Sequence, residues 1–222
     1  MLYYDFMFVK IYKLKKCKEI VNKGKRHINN MMSKDNFEYE LATIHGRFQI
    51  LHNDHLKFLL AGKKLCKHLI VGITNPDPSL TKHHNSNPHR SQPNANPLTY
   101  YERYIMIRET LLEVGLKLSE FSIVPFPINI PELLQYYVPM DAVFFLSIYD
   151  DWGRQKKEYL ESLGLKVHVL WEVPLEKKGL SGNDIRLFIL KGEPWKHLVP
   201  PATAKLVEEW DIIGRLSDLN SK

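Results

Sequence analysis

Cysteine is scarce in this chain: 222 residues hold two, Cys17 and Cys66. Two are too few for a disulfide framework, and their spacing supplies no paired metal ligands. Long apolar runs are also missing. No stretch of eighteen apolar residues occurs, so no membrane-spanning helix and no membrane partner are expected. The opening residues do not read as a cleavable signal peptide, and a cytoplasmic, reducing setting is expected. Net charge is absent from most of the chain. Residues 1–31 carry eight Lys or Arg against Asp5 and Glu19, which accounts for the whole formal charge of +6 and leaves residues 32–222 formally neutral. A basic protein invites a nucleic-acid reading, but charge confined to a leader gives the body no basic face, so no nucleic-acid partner is expected. Residues 1–35 read as a basic N-terminal extension, disordered or loosely packed, ahead of a single domain over residues 36–222. Assembly into a homo-oligomer is left open.

What is present is a 44% hydrophobic composition with room for a substantial core. Short apolar runs alternate with amphipathic stretches. The runs "ELATI", "HLIVGIT", "FSIVPFPI", "DAVFFLSI" and "KVHVLWE" read as strands. Between the second and third, Thr99–Val114 reads as a helix, with Thr99 and Glu102 spaced as a capping box. Further helices are expected over Trp152–Leu163, ending at Gly164, and over Pro201–Trp210. The alternation predicts an α/β fold, a Rossmann-like doubly wound parallel sheet of about five strands. One segment departs from it. Residues 75–98 hold five prolines, five asparagines and three histidines, and read as a long polar loop, either a lid or an insertion. Its His83, His84 and His89 lack the carboxylate or cysteine that would complete a metal site.

The segment "TIHGRFQILHNDH", Thr43–His55, leaves the first strand, turns through Gly46 and brings together Arg47, His52 and His55. If the next helix begins near His52, the two histidines share its first turn, where free backbone N–H groups and the positive end of the helix dipole also point. That is a site for polyphosphate. A second such element, "LSGNDIR", follows the fifth strand. Ser181 is placed to cap a helix, Gly182 leaves room for a ligand to approach the backbone, and Arg186 faces the same end.

"GRFQxxHxxH" followed by "SGxxIR" resembles the nucleotidyltransferase superfamily with its "HxGH" signature, and within it the archaeal-type nicotinamide-nucleotide adenylyltransferases. "NPLTYYER" and "KGEPWKHLVP" are further similar segments, and the resemblance spans residues 41 to about 216. It implies a Rossmann-like domain that transfers AMP from ATP to nicotinamide or nicotinate mononucleotide with release of pyrophosphate, using small-molecule nucleotides and Mg²⁺ held mainly by phosphate oxygens and water. By the same resemblance His52, His55 and Arg47 are the catalytic residues. Gly46, Phe48, Gln49, Ser181, Gly182, Asn183 and Arg186 bind the nucleotide, and Arg103, Asn129, Tyr136 and Trp152 are candidates for contact with the acceptor.

The chain departs from that pattern at three places. Asp54 stands where the signature has glycine. It is expected either to ligate Mg²⁺ or to favour the protonated histidines. Asn183 replaces a threonine, and "NIPELLQYYVP" holds no tryptophan for a nicotinamide ring. Two other readings therefore stand beside adenylyl transfer. One is a cytidylyltransferase making a CDP-linked small molecule, against which the missing "RTxGIST" segment counts. The other is a nucleotide-sensing module that has lost turnover. An aminoacyl-tRNA synthetase is excluded by length and by the lack of a lysine-rich second signature.

Overall fold

A computed structural model describes residues 37–77 and 95–220. The basic leader, the three loop histidines and most of the polar loop lie outside the described residues. Five strands form one sheet: β1 (Tyr39–Gly46), β2 (Cys66–Thr74), β3 (Phe121–Phe126), β4 (Val143–Ile148) and β5 (Lys166–Glu172), all parallel, in the order β3-β2-β1-β4-β5. The apolar runs lack strict alternation because a parallel sheet is covered on both faces, so both sides of each central strand must be apolar. Leu69, Ile70, Val71 and Ile73 of β2 are all buried.

Six α-helices are described: α1 (Asn53–Leu65), α2 (Tyr100–Glu113), α3 (Asp151–Ser162), α4 (Gly182–Leu190), α5 (Pro201–Glu209) and α6 (Ile212–Asn220). Residues of α1, α2, α4, α5 and α6 share one core cluster with Ala42, Ile44, Leu69, Val71 and Phe145. Leu160 of α3 joins Ile70, Phe126, Phe144 and Leu146 in a second cluster on the opposite face. The division follows from handedness. The crossovers from β1 through α1 to β2 and from β2 through α2 to β3 step in one direction along the sheet. The step from β4 through α3 to β5 runs in the other, and right-handed crossovers then put the helices on opposite faces. The strand order therefore reverses between β1 and β4, and the carboxyl ends there open a crevice.

Local signals match these elements. The Thr99–Glu102 capping box is formed, with each partner's side chain bonded to the other's backbone N–H. The helix expected over Pro201–Trp210 is present as α5. α6 was not anticipated: after Trp210 the chain passes through Asp211 at φ 47° and resumes as a short helix that buries Ile212 and Leu216. No helix among the described residues is long and apolar enough to cross a membrane.

Candidate nucleotide-binding site

The loop from Gly46 to Leu51 carries the chain from β1 into α1. His52 is the N-cap, and its Nδ1 accepts the backbone N–H of His55 at 3.3 Å. The two imidazoles stack with centroids 3.7 Å apart. His52 is only 2% exposed, and burial lowers its pKa to about 4 although Asp54 and Asp184 pull the other way. Burial, followed by the proximity of His52 and Arg47, holds His55 well below the ordinary histidine range. Both rings are therefore neutral at pH 7. Asp54 does favour the protonated form of His52, as expected, but desolvation outweighs one nearby carboxylate and the ring stays neutral. Since Nδ1 of His52 is an acceptor, its ring proton sits on Nε2, a buried atom with no protein partner. A buried donor without a protein partner is open to an oxygen of a ligand or a water in the cavity.

Past β5, a 3₁₀ turn at Leu175–Lys177 leads to Ser181, which caps α4 in a reciprocal box with Asp184. This segment is interlocked with the first. The Asp54 carboxylate accepts the N–H of Leu180 at 2.6 Å. A Cβ on Gly179 would lie 2.1 Å from that same carboxylate, and a Cβ on Gly182 would lie 2.5 Å from the Gln49 carbonyl. Gly182 is thus required by the close approach of the Gln49 backbone. Arg186, 5% exposed, donates to the carbonyls of Gln49 and, at 3.0 Å, of Gly182, while Asn183 is exposed and turns its Oδ1 toward Arg186. Gln49 in turn bonds Leu98 in both directions, at 2.9 and 2.8 Å, and fixes the returning end of the polar loop. Phe48, at φ 53°, places its ring edge-on to His55 at 5.0 Å.

The crevice encloses a cavity of about 720 Å³. Gly46, Arg47, Phe48, Gln49, His52, Asp54, His55, Ser181, Gly182, Asn129 and Trp152 all line it. The other candidates lie elsewhere. Arg186 holds the second segment on the first, and Asn183 accepts from Arg186 within the second segment. Arg103, 1% exposed, donates to the carbonyls of Thr99, Arg47, Thr74 and Asn75 and supports the cavity from behind. Tyr136 is 74% exposed in the 3₁₀ turn Pro131–Tyr136 and is not among the residues that line the cavity.

Residues that sequence reading left out complete the walls, above all His45, Lys156 and Lys178. Lys178 Nζ lies 4.0 Å from Asp150 Oδ2 and over the Tyr149 ring. No cluster of three or more His, Cys, Asp or Glu able to hold a metal exists among the described residues. The two carboxylates on the wall are engaged, Asp54 with Leu180 and Asp150 as N-cap of α3 through Gly153. Among the described residues there is thus no ready-made cage for Mg²⁺, and Asp54 keeps only its second carboxylate oxygen, Oδ1, for a ligand.

A family model described as cytidylyltransferase-like matches residues 43–188. The chain belongs to this family. The match spans both walls of the cavity, from the end of β1 into α4, and it makes the protein a nucleotidyltransferase. The cytidylyltransferase-like chain is 47% identical, over 79% of its own length and 94% of the relative's, to a phosphonoformate cytidylyltransferase from Streptomyces viridochromogenes. It is 31% identical, over 81% of its length and 96% of the relative's, to a nicotinamide-nucleotide adenylyltransferase from Picrophilus torridus. In fold it matches a bifunctional NMN adenylyltransferase/ADP ribose pyrophosphatase from Francisella tularensis, with a TM-score of 0.60 and 16% identity over 82% of this chain, and it spans about half (53%) of that longer protein.

Proposed function

We propose that the protein is a cytidylyltransferase that joins CMP from CTP to a small phosphonate- or phosphate-bearing acid and releases pyrophosphate. The observation that carries this reading is the 47% identity to a phosphonoformate cytidylyltransferase across 94% of that relative, set against 31% for the adenylyltransferase. The motifs alone ranked adenylyl transfer first and took the missing "RTxGIST" segment as a mark against cytidylyl transfer. Likeness along nearly the whole relative outweighs that one segment.

The chemistry asks little covalent work of the protein. An acceptor oxygen, already ionised near neutral pH, attacks the α-phosphorus, and the bond from that phosphorus to the pyrophosphate oxygen breaks. Catalysis then consists of positioning and of meeting charge with fixed donors. His52 offers Nε2–H, the first turn of α1 offers backbone N–H groups, and Arg47, Lys156 and Lys178 bring positive charge to the wall. Mg²⁺ belongs to the nucleotide substrate here, held by phosphate oxygens and water.

A second reading, adenylyl transfer to a mononucleotide, is favoured by the archaeal relatives and by Trp152, whose ring lies on the cavity wall where an aromatic base could stack. The test is to offer CTP or ATP with phosphonoformate, nicotinamide mononucleotide or nicotinate mononucleotide, follow pyrophosphate and weigh the product. CTP turned over with phosphonoformate supports the proposal. ATP turned over with a mononucleotide replaces it by the second reading. Nucleotide binding with no turnover of any pair would leave a sensor.

A further inference from the structure

Three residues on three adjacent strands form a chain of dependence beneath the cavity. His45 of β1 is level with Gly72 of β2, and Thr74 of β2 is level with Phe126 of β3. A Cβ on Gly72 would lie 2.7 Å from the Phe126 ring. The bare backbone at 72 lets that ring lie across β2 and reach β1, where it stacks on His45 with centroids 4.5 Å apart and planes 8° from parallel. The imidazole is 6% exposed and stacked on Phe126, yet neither Nδ1 nor Nε2 has a hydrogen-bond partner among the described residues. Burying a polar group unpaired costs about 1–3 kcal/mol. The sheet thus holds a costly group in one orientation in the wall of a cavity.

Its position says what the group is for. His45 is the penultimate residue of β1, beside the reversal of strand order, and Asn129, Ser147 and Lys156 line the same cavity. The helix-end wall, with His52 and Ser181, suits the triphosphate, which leaves the sheet-end wall for the acceptor. We propose that His45 binds the acceptor acid, one ring N–H donating to an anionic oxygen while the other nitrogen accepts from a hydroxyl or a water that enters with the acid. Lys156 supplies the charge. This assignment rests on the reading of the site as one that transfers a nucleotide to a small acid.

The test compares wild type, His45→Phe and His45→Gln by titration calorimetry with phosphonoformate and, separately, with CTP, and by kinetics with each substrate varied. His45→Phe keeps a ring on Phe126 and loses both nitrogens. It should weaken phosphonoformate binding and raise the acceptor KM about tenfold or more, while CTP affinity stays within about twofold. His45→Gln, which restores a donor and an acceptor, should recover part of the loss. If His45→Phe fails to fold, His45→Leu, which also removes both nitrogens, takes its place in the comparison. Unchanged acceptor affinity in both variants overturns the assignment, and so does an equal loss for acceptor and CTP, the mark of a structural role. If wild type instead turns over ATP with a mononucleotide, the functional reading fails and His45 is judged by the same split with that mononucleotide. A wild type that binds neither acceptor overturns both.

Discussion

The Asp54 carboxylate and the Leu180 backbone N–H meet at 2.6 Å, joining the first turn of α1 to the loop ahead of α4. The carboxylate fills the space that a side chain at Gly179 would need. A residue that replaces the signature glycine is therefore a clasp between the two segments. Asp54→Gly should release the loop carrying Lys178 and lower kcat/KM by about tenfold or more, with about 1 kcal/mol lost from stability. Asp54→Asn keeps an acceptor for Leu180 and should retain most of the activity. If Asn proved as damaging as Gly, the charge would matter and the clasp would not. A gain in rate for Gly would show a decayed site.

His52 has two separable roles, capping α1 through Nδ1 and offering Nε2–H to the cavity. His52→Asn keeps a good cap and loses the donor. Turnover should fall on the order of 10²-fold while the melting temperature holds. His52→Ala loses both and should in addition cost about 1 kcal/mol. Wild-type turnover in His52→Asn at saturating nucleotide would remove His52 from the site, and His55→Ala is judged by the same measurement.

Protonation of the buried histidines sets a direction for stability against pH. The folded pKa of His52, about 4, lies below the ordinary value near 6.5, so as pH falls the unfolded chain takes up the proton first. Stability is level above that range and declines between about 6.5 and 4, by on the order of 3 kcal/mol for His52. His45 and His55 are shifted the same way. Melting temperatures should drop from pH 7.5 to pH 5, with a shallower slope in His52→Asn. An identical slope in that variant would contradict the buried neutral state.

The family match begins at residue 43, and residues 1–31 differ from the formally neutral remainder in carrying the whole net charge. A chain starting at Met32 should therefore fold and turn over as the full chain does. Lost solubility or activity on removal of residues 1–31 would assign the leader a part in the domain.

The strands were legible because each is an apolar run too short for a helix, and α2 because its cap is written in two residues three apart. The boundary of β1 was harder. Read as "ELATI", it stopped at Ile44, one residue short of His45, since a histidine does not extend an apolar run. The histidine pair was legible from spacing, but its charge state was not, because burial by other segments decides it. The arginines show the same limit. A motif supplies a guanidinium without saying what it faces, and Arg103 and Arg186 face backbone carbonyls. Asp54 was conspicuous as a departure, yet its partner lies 126 residues away and is a backbone N–H, which no side-chain pattern reveals.

Arg103 has a consequence for ionic strength. Burial lowers its pKa only to about 10, so it remains a cation at neutral pH, bonded to the carbonyls of Arg47, Thr74 and Asn75 behind the cavity wall. Mobile ions screen exposed charges within about 10 Å at 0.1 M salt, and an interior charge much less. The attraction the cavity offers a polyphosphate thus has two parts, one from the wall lysines that fades as salt is added, and one from beneath the floor that persists.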